Sequence, residues 1–246
     1  IRLLREPGGC PWDAKQTHES IKKNLIEETY EVIEAVNKDD KELLCEELGD
    51  LLMQVVFHAQ METEAGVFNF DDVANGVCKK LVERHPHVFG DVKVKDTANV
   101  LSNWDAIKRE TKNQKTESAS IRSVSPALPA LMRADKIGKK ARKVGFDFDN
   151  APEAMEKVLE EVREVNEAIA NGNQEEILEE FGDLLLSVVN AARLAGVDSE
   201  QALYNANEKF LARFERVEEL CHKSGKNVVD TPRAEKERFW LLAKQK

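Results

Sequence analysis

An all-α fold is the class that this sequence predicts, on three observations. Apolar residues recur at helical spacing along most of the chain, and no segment alternates convincingly with period two. Aromatic residues make up only 6% of a chain that is 41% apolar, too few for a typical sandwich or barrel. With 246 residues there is room for one large domain or two small ones, and 33% charged residues beside that apolar share fit a folded chain.

The first helix is expected from Thr17 to about Asn37, where Ile21, Leu25, Tyr30, Val32, Ile33 and Val36 fall mostly on one face. A second runs from about Lys41 to Glu64 through Leu43, Leu44, Leu48, Leu51, Leu52, Val55, Val56 and Met61, with Gly66 as its stop. A third starts near Asp71 and ends at the His85-Pro86 step, because a residue before proline avoids the α region. A fourth contains Trp104 and Ile107. The polar stretch 112–126 lacks periodicity and runs into Pro126 and Pro129, so it is read as a linker between domains at 1–111 and 127–246. Further helices are expected at about 127–143, 152–171, 174–195, 198–223 and 232–245, punctuated by Gly145, Gly172, Gly196 and Gly225.

An internal repeat organises these helices. A shift of 133 residues lays EETYEV (27–32) over EEVREV (160–165), EELGDLL (46–52) over EEFGDLL (179–185), and Val55-Val56 over Val188-Val189. Two separate motifs superpose without a gap, so duplication of one helical unit is the economical explanation.

Each copy carries E-x-x-E, fifteen residues, then E-x-x-D. In the first these are Glu28, Glu31, Glu47 and Asp50; in the second, Glu161, Glu164, Glu180 and Asp183. Residues three apart share a helix face, and a short turn makes successive helices antiparallel neighbours, so the two acidic pairs converge. Four such carboxylates repel one another unless a cation joins them. Oxygen-only ligation with positions left for phosphate oxygens points to Mg²⁺, with Mn²⁺ as the alternative. The bland reading is a solvated acidic face. Against it stand the exact recurrence of the spacing, the apolar neighbours Leu48, Leu51, Leu184 and Leu185, and a glycine (Gly49, Gly182) inside each strong helix, where it costs about 1 kcal/mol relative to alanine. That repeated cost is read as a need for space beside the acids. Di-iron bundles use Glu-x-x-His on two helices, and neither motif here contains histidine.

Phosphate chemistry also needs cations. The second copy offers Lys209 and Arg213 one turn apart, then Trp240 and Lys244; the first offers Lys80 and Arg84, then Trp104 and Lys108. Cations at this spacing can hold a triphosphate, and a tryptophan one turn from a lysine can stack on a base or anchor the end of a bundle. The net charge of −10 argues against nucleic acid or an anionic membrane as partner, and no run approaches 18 apolar residues. Cys10, Cys45, Cys78 and Cys221 are scattered without a C-x-x-C pair, and are read as small core residues in a reducing, cytoplasmic setting. No secretory pattern is visible in a sequence that begins at Ile1 rather than Met.

The run GGCPWDAKQTHESI, EETYEV, EELGDLLMQVVFHAQ, ERHPHVF and W-x-x-I-K, continued by LPALMRADKI, VGFDF, EEFGDLL, NEKF and a second W-x-x-x-K, resembles MazG-type nucleoside triphosphate pyrophosphohydrolases over nearly the whole chain. The resemblance implies tandem MazG domains in an intertwined helical dimer, and Mg²⁺-dependent cleavage of nucleoside triphosphates to monophosphate and pyrophosphate. It also implies that Glu161, Glu164, Glu180 and Asp183 bind metal. On the same basis Lys209, Arg213 and Trp240 contact nucleotide, Lys244 contacts phosphate, and the turn from Lys157 to Glu161 faces the nucleotide. Where the family often reads RRHPHVF, Glu83 replaces the first arginine, which weakens phosphate binding by the first half.

In the mechanism that follows, a metal-activated water attacks the α-phosphorus, pyrophosphate leaves beside Lys209 and Arg213, and Glu160 orients the water. Two alternatives remain at this level: a narrower dUTP or phosphoribosyl-ATP type of pyrophosphohydrolase, and a helical regulatory module without catalysis. A homodimer is expected, because paired faces such as Val55-Val56 and Val188-Val189 exceed what one chain can cover.

Overall fold

A computed structural model describes residues 1–97, 99–100, 103–104, 107 and 116–245. The described residues contain helices and turns and no β-strand. The chain divides into two compact units, 1–112 and 113–246.

In the first unit, α1 (Arg2–Arg5) and a 3₁₀ turn (Asp13–Lys15) precede α2 (Lys22–Lys38), α3 (Lys41–Glu64), α4 (Phe70–Arg84) and α5 (Pro86–Phe89). The second unit contains α6 (Glu117–Arg122), α7 (Ala130–Arg142), α8 (Ala151–Asn171), α9 (Gln174–Leu194), α10 (Ser199–Lys223) and α11 (Arg233–Ala243). Two antiparallel pairs dominate, α2 with α3 and α8 with α9.

The repeat reaches down to single backbone angles. The 133-residue shift carries the end of α2 (Lys38) onto that of α8 (Asn171), and the start of α3 (Lys41) onto that of α9 (Gln174). Both two-residue turns pass through the left-handed region, at Asp39 (φ 54°) and Gly172 (φ 72°). Each is followed by a side-chain cap. The Asp40 carboxylate accepts from the Glu42 and Leu43 amides, and Asn173 accepts from the Glu175 amide. Glycine adopts this conformation freely; the aspartate in the first copy tolerates it as few side chains do. These tight turns are what bring the acidic faces of each pair together.

Three expectations shift. α2 begins at Lys22 rather than Thr17, because Thr17 and Ser20 exchange amide-to-hydroxyl hydrogen bonds (2.9 and 3.2 Å) in a closed turn ahead of it. The stretch read as linker carries α6, capped by Thr116, whose hydroxyl accepts from the Ala119 amide. Lys140 of α7 donates to the Ser120 carbonyl (2.6 Å) and to the Ser120 hydroxyl (3.0 Å), and Ser120 and Val124 are buried. This part of the polar segment is therefore folded onto the second unit. Of the cysteines, Cys221 alone lies in the core, while Cys45 and Cys78 are exposed. Within the expected fourth helix, Trp104 and Ile107 are described and helical.

Buried cores are small. In the first unit Ile21, Phe57 and Met61 pack together with Ile1, and Arg5 lies over the Phe57 ring while pairing with Glu64. In the second, Ala154, Val158 and Ala191 form one cluster, and Val217, Cys221 and Phe239 join α10 to α11. Arg193 of α9 grips Asp147 at 2.6 and 3.0 Å and crosses α7 at Gly138, where a Cβ would meet its Nε at 2.7 Å.

Candidate metal centre

The geometry of the two helix pairs brings carboxylates together in both units. Oxygens of Glu161, Glu164 and Glu180 lie within 4.8 Å of one another, as do those of Glu28, Glu47 and Asp50. Two members of the expected eight stand just outside these trios. Asp183 is exposed, and its charge bears on Glu180; Glu31 is exposed, and its charge bears on Glu28 and Glu47. The four-carboxylate sets therefore share a neighbourhood, with three groups converging in each.

Glu161 is the deepest of these groups, with its side chain 5% exposed. Its Oε1 takes an ion pair from Lys157 at 2.8 Å, while its Oε2 is buried without a hydrogen-bond partner. A buried carboxylate oxygen left unpaired is costly, and a hard cation shared with Glu164 and Glu180 would satisfy it. The donor set and this orphaned oxygen fit a divalent cation with oxygen ligands.

Electrostatics tell the same story in both units. Glu164 and Glu180 are raised above the usual carboxylate range, first by loss of hydration; Lys157 opposes the rise, and the Glu161 charge adds to it. Glu28 and Glu47 are raised too, by desolvation and then by neighbouring carboxylates. Lys157 is held more strongly protonated than usual, by its hydrogen bonds to Glu160 and Glu161.

A stability prediction follows for the metal-free protein. A group raised on folding binds more protons in the native state than in the unfolded one, so stability falls as pH rises above the ordinary carboxylate value. His58, lowered on folding, works the other way across this range, so the carboxylates are read by the effect of metal: the rise in Tm on adding Mg²⁺ to EDTA-treated protein should be larger at pH 7.5 than at pH 5.5, where protons compete for the same oxygens. A Mg²⁺-induced rise in Tm that is equal at the two pH values, or larger at pH 5.5, would contradict it.

The other expected residues fall in different places. Lys209 and Arg213 stand one turn apart on α10, which packs on α11 and α7; among the described residues neither makes an ion pair. Trp240 is half-buried at the α10–α11 junction, its ring 5.3 Å from that of Phe210, with Lys244 Nζ 5.9 Å from the indole. The ring is thus packed into this junction and partly accessible. Lys80 is exposed and Arg84 half-buried at the end of α4, and Trp104 lies against His85 at 6.0 Å. Lys108 lies outside the described residues. Gly49 and Gly182 face open space, since an added Cβ meets nothing within 4 Å. The expected need for room beside the acids is thus not found within the chain.

One polar cluster escaped sequence reasoning. His18 stacks on His58, with their Nδ1 atoms 2.7 Å apart, and its Nε2 lies 2.7 Å from Glu62. His58 is lowered by burial and by His18. It sits about two turns along α3 from Asp50, so it clasps the N-terminal segment rather than joining the acids. His58 and Glu62 share a helix face, but nothing in the sequence placed His18 beside them.

Comparison with known proteins adds an independent line. A family model described as the MazG nucleotide pyrophosphohydrolase domain matches residues 16–89 and again 150–218. The chain is 44% identical over 244 residues to a nucleoside triphosphate pyrophosphohydrolase/pyrophosphatase MazG of Thermotoga maritima, covering 99% of this chain and 92% of that protein. It is 42% identical over 250 residues to a nucleoside triphosphate pyrophosphohydrolase of Escherichia coli K12, covering 100% and 94%. It is also 46% identical to an uncharacterized Bacillus subtilis protein, YabN, half of whose length it spans.

Proposed function

The chain belongs to the MazG nucleotide pyrophosphohydrolase family, and on that premise we propose that it hydrolyses nucleoside triphosphates to monophosphate and pyrophosphate at the acidic centres of its helix pairs. The observation that carries this reading is the buried, unpartnered Oε2 of Glu161 beside Glu164 and Glu180. Mg²⁺ is the proposed metal, with Mn²⁺ as substitute, because every donor is a hard oxygen. Glu161, Glu164, Glu180 and Asp183 would hold it in the second unit, and Glu28, Glu31, Glu47 and Asp50 in the first.

When bound, such a cation supplies charge for the phosphate oxygens and makes a water more acidic. The remaining work falls to the chain. Glu160, exposed and 2.6 Å from Lys157, is proposed to orient the attacking water and accept its proton. The water oxygen bonds to the α-phosphorus, the bond from that phosphorus to the bridging oxygen breaks, and pyrophosphate leaves with the bridging oxygen. Lys157, Lys209 and Arg213 offset its charge, and Trp240 with Lys244 forms a platform for the base. Lys80, Arg84, Trp104 and Lys108 are the counterparts proposed for the first unit. A panel of nucleoside triphosphates with Mg²⁺, read by product identity, tests this. AMP and pyrophosphate from ATP are expected; ADP and phosphate would overturn it.

A homodimer is the proposed assembly. Leu178, Gly182, Leu185 and Leu186 share one exposed face of α9, with Leu178 78% exposed, and the repeat places Cys45, Gly49, Leu52 and Met53 on the matching face of α3, also exposed. The Val188-Val189 pair splits, with Val189 buried within the chain and Val188 exposed, while Val55 and Val56 are both half-buried. Apolar faces this extensive favour self-association, and twofold pairing is the commonest form. Light scattering at micromolar concentration should give twice the chain mass of 27.8 kDa. A monomeric mass would refute it.

A further inference from the structure

The two acidic centres differ in what stands one turn before their first glutamate. In the second unit Lys157 Nζ lies 2.6 Å from Glu160 Oε1, 2.8 Å from Glu161 Oε1 and 4.0 Å from Glu164 Oε2. The 133-residue shift puts Asn24 at the matching position of the first unit. There the charges that bear most on Glu28 and Glu47, among the described residues, are carboxylates. Among the described residues, one cluster thus carries an ammonium and the other does not.

We infer that Lys157 is a resident counter-ion of the second centre, so that a divalent cation alone binds the second unit more weakly than the first and loads there together with nucleotide. The inference rests on the metal reading above. Two effects act in the same direction. The ammonium occupies Glu161 Oε1, an oxygen a metal would use, and its charge repels an incoming cation. Even with the lysine docked, Glu161 Oε2 stays buried and unpaired, so the ammonium only partly satisfies the site. Triphosphate changes the balance: its oxygens offer the displaced ammonium new partners, and the flexible four-carbon stem of lysine lets it swing to them. Metal and nucleotide then favour each other's binding in the second unit, through a side chain that each can move.

Binding of Mn²⁺ to the full chain without nucleotide, followed by the electron paramagnetic resonance of free Mn²⁺, tests this. Two classes of site are expected, and Glu164→Gln should remove the weaker one. Lys157→Gln should tighten the weaker class by about tenfold or more, since a charge-assisted contact no longer competes. Asn24→Lys, made in the other unit, should weaken the tighter class by a similar factor. Unchanged or weaker Mn²⁺ binding in Lys157→Gln overturns the inference, as does loss of the tighter class in Glu164→Gln. Saturable binding indifferent to Lys157→Gln overturns this inference alone, whereas no Mn²⁺ binding to the wild-type chain at millimolar concentration overturns the metal reading with it.

Discussion

Treatment with EDTA should abolish triphosphate hydrolysis, lowering the rate by at least about 100-fold, and Mg²⁺ or Mn²⁺ should restore it. The magnitude reflects what a divalent cation supplies at a phosphoryl centre: several kcal/mol of charge stabilisation and a more acidic water. The chain offers no replacement within the cluster. Glu161, Glu164 and Glu180 repel the phosphates they would have to approach, and the single ammonium of Lys157 among them leaves most of that repulsion in place. Iron should not be required for recovery, because the convergent donors are carboxylates without histidine. Dialysis against EDTA followed by metal addition, with pyrophosphate release as the readout, decides it. Full activity in metal-stripped protein would remove the basis of the metal reading.

Much of this centre was legible in the sequence because its information is periodic. E-x-x-E and E-x-x-D each define a helix face, and the invariant 133-residue shift ties both faces to one turn geometry. The structure carries that identity to the left-handed residues Asp39 and Gly172. What escaped was of a different kind. The clasp of His18 on His58 joins groups forty residues apart across a loop, and no spacing rule reports such a pairing. The helix Glu117–Arg122 is too short for apolar periodicity and is held by Lys140 from the next element. For Gly49 and Gly182 the reading is not borne out within the chain. Space was expected beside the acids, yet both face outward among exposed leucines and methionine. A sequence reports that a small residue sits in a helix, not which neighbour needs it small.

Replacing Glu164 by alanine should cost far more activity than replacing Glu31: a fall of about 10- to 100-fold in kcat/KM on ATP, capped by the turnover left at the first unit, against less than about threefold. Glu164 is one of the three carboxylates whose oxygens converge in the second unit, so Glu164→Ala opens the coordination of the centre itself. Glu31 stands beside the trio of Glu28, Glu47 and Asp50, acting on it through charge. The second difference is Lys157 against Asn24. A triphosphate entering the second unit meets an ammonium already positioned within 4.0 Å of three glutamates, whereas the first unit offers no such group at that position. A charge-assisted contact of this kind contributes about 1.5–3 kcal/mol. Placed against the transferring phosphates, it should favour turnover at residues 127–246 by one to two orders of magnitude. Resting metal affinity and catalytic rate should then run in opposite directions between the halves, since the ammonium proposed to weaken metal binding in the empty site is the one proposed to hold the phosphates when substrate arrives. Comparing kcat/KM for the two single variants settles the assignment. Equal losses would mean that both centres turn over substrate, and a larger loss from Glu31→Ala would transfer the main activity to the first unit.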